Sequence, residues 1–497
     1  MPRHLHSQDR GEEARRLFEL RKALGLSQRE MAEEFQVAGG AIAQWESGAR
    51  TLPGPVLRLI DLYEAELIEA PGPAVQHVSP ALGWLPRTGS AGAALAAWVF
   101  ARSLLPTSTD STLVQRIRGR SMQRYVLTAS RLKGLAMKWA QLAWVLDGLL
   151  EEDERAALSL LRDAPPALSP GRAAAVFFED LGEVPRRCFA SWSPVPFASG
   201  SVGQVHAAAL PTGQTVAVKI QYPGAEALLK TDLRNIGVLD SLSRLFLRAQ
   251  RPDVLHQEMR QRFLEECDYQ LEAANQCEVR RWFADRCDIH VPAVLTELSR
   301  RRVLTMEHVE GSTLEEFAAQ ATQAERDHAG EAIWTFYYRS IFAHGAYNTD
   351  PHPGNFLFNP GRVTFLDFGR IKRLSGEYVR LWHRLGRALF ARDTATIERV
   401  LVELGYVPDP AGFDFRPIRR LLHLWMLPCL TQTAFTFTPA YLRELATAYL
   451  SDPTRAQVSF SADMVFLPQL LFGVAGILTK LRATVRCCYE ARLLMEA

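Results

Sequence analysis

"YNTDPHPGNFLFNPGRVTFLDFGR", residues 347–370, decides how the rest of the chain is read. Asp350 and Asn355 stand five apart on a loop, because Pro351, Pro353 and Gly354 forbid a regular helix there. Phe356–Phe358, the Asn359-Pro360-Gly361 turn and Val363–Leu366 read as a hairpin. It ends on Asp367, just before Phe368-Gly369.

The surrounding chain is long enough to supply further parts. With 497 residues it exceeds one hydrophobic core, so two to four domains are expected. It is 47% hydrophobic and 23% charged, ordinary for a globular protein, and its net charge of +2 recommends neither nucleic acid nor an acidic membrane as partner. Seven scattered cysteines without CxxC spacing read as reduced thiols, neither a disulfide framework nor a zinc site. The N-terminus lacks the apolar segment of a secretion signal. The most apolar run, MVFLPQLLFGVAGIL (464–478), is too short to span a bilayer and is read as a buried helix. The expected location is the cytoplasm, with peripheral attachment to a membrane left open.

Upstream, "FASGSVGQVHAAALPTGQTVAVKIQYPG" (197–224) reads as a glycine-containing turn, a strand, a PTG turn and a second strand. In Val216-Ala217-Val218-Lys219, alternation puts the valines on one face and Lys219 on the other. A strand lysine behind a small-residue loop suits a phosphate ligand. Phosphoryl transfer of the protein-kinase type needs such a lysine and a helix glutamate to hold it. It also needs a loop Asp, an Asn five residues later on a metal, and an Asp-Phe-Gly whose Asp binds Mg²⁺. Lys219, Asp350, Asn355 and Asp367 occur in that order. The predicted fold is therefore α+β and two-lobed, with ATP and Mg²⁺ as cofactors. Ala198, Ser199, Gly200, Ser201, Val202 and Gly203 form the phosphate loop, and Glu307 on the strand-like run 302–309 joins the nucleotide-binding set.

A long helical stretch is expected over about 254–284, including "EECDYQLEAANQ" (265–276). On one continuous helix Glu266 and Glu272 point about 120° apart, whereas Asp268 and Glu272 share a face. One acid pairs with Lys219 and another reaches a different element.

The segments "KWAQ" (138–141), "PFASGSVGQVHAA", "VAVKIQYPG", "ECDYQLEAAN", "TDPHPGN" and "LDFG" resemble the UbiB/AarF-like atypical kinases, linked to coenzyme Q (ubiquinone) and other isoprenoid-lipid metabolism. The resemblance runs from about 120 to 490. It implies a kinase-like fold with an N-terminal helical extension over the active site, carrying a Lys-x-Gly-Gln motif, here Lys138-Trp139-Ala140-Gln141. It further implies that Glu266 and Asp268 face that extension, that Glu272 partners Lys219, that Asp350 is the catalytic acid/base, and that Asn355 and Asp367 bind metal. Two departures stand out. Ala140 replaces the family's glycine, and the usually alanine-rich phosphate loop here holds Gly200 and Gly203. The second makes the loop more like an ordinary kinase loop, so nucleotide binding is expected to be retained.

After Gly369 the pattern turns helical within about six residues, with no Ala-Pro-Glu. Peptide docking in protein kinases uses the segment missing here. ATPase activity, or action on an isoprenoid or other lipid-like small molecule, is expected in place of protein phosphorylation in trans.

"LRKALGLSQREMAEEFQVAGGAIAQWESG" (20–48) resembles an Xre/Cro-type helix-turn-helix, an all-α module with a capping box at Ser27–Glu30 and a third helix over about 38–46. The residues that would read bases are Ala38, Gly39 and Gly40, and none can hydrogen-bond a base edge. Residues 1–70 hold nine Lys/Arg against twelve Asp/Glu, the wrong sign for counterion-driven binding. Gln28 and Gln44 remain as candidate DNA contacts, with Arg21 and Arg50 beside them. Two readings stand: a DNA-binding module, or a fold kept for protein contacts. The expected organisation is 1–70 helix-turn-helix, 71–115 linker, 116–190 helical extension, 191–310 N-lobe and 311–497 C-lobe. The alternative function is an ATP- or lipid-sensing regulator whose helix-turn-helix binds DNA. Ordinary packing or loop-ordering roles are expected for His344, His352, Cys487 and Cys488.

Overall fold

A computed structural model describes residues 7–60, 168–233 and 252–496, apart from a few isolated positions. The expected linker, Lys138, Gln141 and most of the expected extension lie outside the described residues.

Helices α1 (Ser7–Ala23), α2 (Gln28–Glu34) and α3 (Ala41–Glu46) bury Leu17, Leu20, Met31, Phe35, Ile42 and Trp45 in a core of their own. The capping box at the start of α2 is formed: Glu30 N–H donates to Ser27 Oγ, and Ser27 N–H to Glu30 Oε2. The third helix starts at Ala41, not at 38. Ala38–Gly40 stay in a turn, as two adjacent glycines each disfavour helix by roughly 1 kcal/mol relative to alanine.

The kinase-like part begins with α4 (Pro170–Leu181) and α5 (Pro185–Cys188). There follow β1 (Ser191–Trp192), β2 (Ala198–Ser199), β3 (Gly203–Ala209), β4 (Thr215–Gln221), α6 (Ala225–Asp232), α7 (Pro252–Glu265), α8 (Tyr269–Trp282), β5 (Ile289–His290) and β6 (Val303–Glu307). Strands β1, β3, β4 and β6 form an antiparallel sheet in that order, and β2 pairs with β3. Period-two alternation in β4 works as the sequence indicates: Val216, Val218 and Ile220 enter the main core, and Ala217 and Lys219 face the other way.

The helical stretch expected over 254–284 is two helices, not one. Asp268 breaks it: its carboxylate accepts Gln270 N–H and Leu271 N–H as the N-cap of α8. Glu266 therefore lies between helices, and the angle inferred from a continuous helix does not apply.

The remaining elements are α9 (Leu314–Gln320), α10 (Gln323–Phe342), β7 (Ala346–Asn348), β8 (Phe356–Asn359), β9 (Arg362–Phe365), β10 (Ile371–Arg373), α11 (Gly376–Ala391) and α12 (Thr394–Glu403). Then come α13 (Phe415–Leu430), β11 (Phe435–Thr436), α14 (Pro439–Leu450), α15 (Leu467–Leu481), β12 (Thr484–Val485) and α16 (Cys487–Glu496). The opening hairpin is β8–β9, closed at Asn359–Arg362 with Gly361 at φ 71°. Strand β5 pairs in parallel with β9, tying residues 289–290 to that hairpin. Strand β7 pairs with β10, so the segments flanking Asp350 and Asp367 are stitched together. The apolar run 464–478 falls largely on α15, whose Pro468 occupies the first turn and whose inner face is buried. Among the described residues no helix is long and apolar enough to cross a membrane.

Candidate active site

Lys219 projects from β4 to the Glu272 carboxylate on α8, at 2.8 and 2.9 Å. Its ammonium is also 3.6 Å from Asp367 Oδ2 and lies over the Tyr269 ring at 4.9 Å. Glu272 is 1% exposed. Burial pushes its pKa up, to about 7, against the pull of Lys219. Burial also works against the charge on Lys219, but Asp367 and Glu272 outweigh it and hold the lysine well above its ordinary value.

The hairpin fixes the other carboxylates. Asn348, the last residue of β7, donates its amide to Asp367 O at 2.5 Å and accepts Asp350 N–H at 2.8 Å. Asn355 donates to the Asp350 carbonyl at 3.0 Å. Asp367 Oδ1 accepts Gly369 N–H at 3.0 Å. His352 Nδ1 accepts Gly354 N–H, the loop-ordering role expected of it. A Mg²⁺–nucleotide is held by one or two carboxylates with the rest of its shell from phosphates and water. The Asp367 carboxylate and the Asn355 side-chain oxygen, left over by its donating amide, fit that donor set. Among the described residues no group of three or more His, Cys, Asp or Glu forms a protein-only cage.

Arg370 is a buried residue that the sequence reading passed over. It is 2% exposed, with Glu266 at 3.4 Å and Asp350 Oδ1 at 3.8 Å, and its guanidinium also donates to Thr349 Oγ1 and O. Its place directly after Asp-Phe-Gly was the available signal. Glu266 thus bonds Arg370, and Asp268 caps α8. Next in line, Lys372 joins Glu258 at 2.9 Å and Asp463 at 3.2 Å.

The expected phosphate loop is a tight turn. Gly200 N–H donates to Gly203 O at 2.7 Å, Tyr222 N–H pins Val202 O, and Ser201 and Val202 are buried. Gly203 is needed for packing, since a Cβ there would stand 2.5 Å from Ile220 O and press on the Tyr269 hydroxyl. Ala198 and Ser199 form the edge strand β2. The Glu307 side chain is turned to His290 (3.3 Å) and Ala293 N–H (3.1 Å). On the Lys219 face of the sheet, Ala217, Leu304 and Met306 pack with Tyr269 and Ala273, edged by Val205 and Val294. Alternation from Lys219 points to Ala217, and Val205 is the cross-strand partner of Lys219.

Of the candidate DNA contacts, Gln28 donates to Glu46 Oε2 at 2.7 Å, beside the Arg21–Glu46 ion pair. Gln44 and Arg50 are exposed.

Residues 160–401 match the ABC1 atypical kinase-like domain and residues 17–61 match a helix-turn-helix family. Atypical kinase COQ8, mitochondrial, of Saccharomyces cerevisiae is 28% identical over 281 residues, 56% of each chain. Probable protein kinase UbiB of Marinobacter nauticus is 29% identical over 295 residues, 57% of this chain and 54% of its own. This chain therefore spans about half the length of the curated relatives it matches. The Mycobacterium tuberculosis protein Rv3197, solved in complex with erythromycin, superposes with a TM-score of 0.55 at 28% identity, covering 78% of this chain and 98% of its own. The chain thus joins a helix-turn-helix domain to a kinase-like fold that, over residues 160–401, is similar to the ABC1 atypical kinases, the proteins named UbiB and COQ8 among them.

Proposed function

We propose that the chain binds Mg-ATP between its lobes and spends it as an ATPase or as a phosphotransferase acting on, or regulated by, an isoprenoid or other lipid-like small molecule. The observation that carries this is the convergence of Lys219 from β4, Glu272 from α8 and Asp367 from the hairpin within 3.6 Å of the lysine. In this reading Lys219 receives the α- and β-phosphates, and Asp367 and Asn355 hold Mg²⁺, which neutralises charge on the phosphates. Asp350 faces the acceptor oxygen and takes its proton. The face lined by Ala217 and Met306 takes the adenine.

Only residues 370–375 separate Gly369 from α11, and Ile371–Arg373 of them are committed to β10. That leaves little chain for docking a peptide, which favours a small acceptor or water. A relative solved with erythromycin supports a small-molecule partner. The test is Mg²⁺-dependent ATP hydrolysis by the full chain. Turnover that Asp367→Asn abolishes supports the proposal; absence of both binding and turnover in the unmodified chain sinks it. So does robust phosphate transfer to generic protein substrates, for its acceptor half.

A second reading makes the chain an ATP- or lipid-sensing regulator, with exposed Gln44 and Arg50 of the helix-turn-helix touching DNA. Nucleotide binding without hydrolysis, together with nucleotide-dependent retention of genomic DNA fragments in a gel, favours it.

A further inference from the structure

Away from the nucleotide site, α10, α11, α13, α14 and α15 line an open-mouthed cavity of about 100 Å³. That is room for a body about the size of a single ring, with the mouth open to the rest of a longer molecule. Its wall is aromatic and aliphatic, with Trp334, Tyr338, Tyr378, Trp382, Trp425 and Leu471 among its residues. Asp463 is the one carboxylate among the described residues of its wall, and it is already engaged by Lys372 at 3.2 Å.

The polar atoms of this wall have one character. The indole N–H groups of Trp334 and Trp425 and the hydroxyl of Tyr378 are buried, and none donates to an acceptor among the described residues. The Tyr338 hydroxyl is directed at Cys429 Sγ, and the Trp382 N–H at the Tyr378 oxygen. A buried donor left unsatisfied forfeits its hydrogen bond to water without replacement. Three of them on the wall of one cavity is a concentration that core packing does not require, because phenylalanine and leucine would fill the same volume without the cost.

From this we infer that the cavity is a binding site for an uncharged, largely apolar small molecule bearing a hydrogen-bond-accepting oxygen. Aromatic walls take the body, and the indole and phenol donors take the oxygen. A carboxylate or phosphate is disfavoured by Asp463 and by desolvation, and a cation finds its one acid already paired. The inference gives the small molecule of the proposed function a place. It rests on that reading for the molecule's role, while binding itself stands on the cavity alone.

The test uses the full chain and two shape-matched probes, benzophenone, which carries a carbonyl, and diphenylmethane, which does not. Equilibrium dialysis is expected to show saturable benzophenone binding, several-fold tighter than diphenylmethane. Irradiation is expected to place benzophenone adducts on the peptides containing Trp425–Cys429 and Leu467–Ala475. Leu471→Trp, which fills the cavity, is expected to weaken both probes more than 10-fold. Trp425→Phe keeps a ring and removes an N–H, and should erode the preference for the carbonyl while retaining diphenylmethane binding. Thermal melts of both variants establish that they fold; if Leu471→Trp does not, Ala475→Phe takes its place. Asp367→Asn is expected to leave probe binding unchanged, which separates this inference from the nucleotide proposal. Absence of saturable binding, equal affinity for the two probes, or adducts only on other surfaces overturns it.

Discussion

The guanidinium of Arg370 lies 3.8 Å from the Asp350 carboxylate and 3.4 Å from Glu266, with almost no solvent around it. The arginine that follows Asp-Phe-Gly therefore ties the loop bearing Asp350 to the turn between α7 and α8. Removing one partner from such a buried group leaves the others uncompensated, at about 3–5 kcal/mol. Arg370→Met is expected to lower unfolding stability by that amount, read from denaturant midpoints. Arg370→Lys should recover part of it, since a lysine keeps the charge but cannot reproduce the fork that reaches Thr349 as well.

Lys219 and Glu272 make a separable prediction. Lys219→Met removes the proposed phosphate ligand and should weaken Mg-ATP binding at least 10-fold in an equilibrium titration. Glu272→Gln keeps the shape and releases the lysine. It should cost less affinity than Lys219→Met while lowering turnover, because the ammonium is then free to close on Asp367, now 3.6 Å away. Equal ATP affinity in all three proteins would rule out this arrangement as the nucleotide site.

His206 supplies a pH dependence. It is fully buried, stacked on Trp192 at 4.6 Å, with Nδ1 2.9 Å from Ser193 O and Nε2 3.0 Å from the Gln204 amide. Those partners suit a neutral ring that donates from Nδ1 and accepts at Nε2. Burial pushes its pKa down to about 4, against a weaker upward pull from the Ser193 carbonyl. An unfolded histidine titrates near 6.5. The folded value is depressed, so the contribution is complete above about pH 6.5 and is lost as pH falls toward 4. The unfolded chain takes up a proton over that interval and the folded one does not. At about 1.4 kcal/mol per pH unit the loss approaches about 3 kcal/mol. His206→Phe should flatten this part of the stability-versus-pH curve.

Gly473 on α15 meets Pro351, the residue after Asp350. A Cβ at 473 would stand 3.1 Å from Pro351 Cβ and 3.2 Å from its carbonyl oxygen, with the ring closer still. Gly473→Ala should displace the loop bearing Asp350 and lower the proposed turnover, with ATP affinity changing less. Gly476→Ala on the same helix meets nothing within 4 Å and serves as its control.

The sequence announced the hairpin, Lys219 and its alternation because each rests on local pattern: proline and glycine in the loop, period two in the strand. Glu272 needed the family resemblance, since spacing alone left three acids open. The broken helix at Glu266–Asp268 was not anticipated, as Asp268 fits a helix surface as well as a cap, and only the backbone distinguishes them. Arg370 was overlooked because burial of a charge depends on partners 21 and 104 residues away. The cavity was invisible for the same reason: Trp334, Trp382 and Trp425 come from three helices, and no spacing relates them.

Strand β7 places consecutive residues on two different sites. Tyr347 is on the cavity wall, and Asn348 holds both Asp350 and Asp367. An occupant that shifts this short strand alters the posture of both carboxylates, and thermodynamic reciprocity then requires nucleotide to change the occupant's affinity by the same factor. A double titration of ATP against benzophenone measures that factor directly from either side.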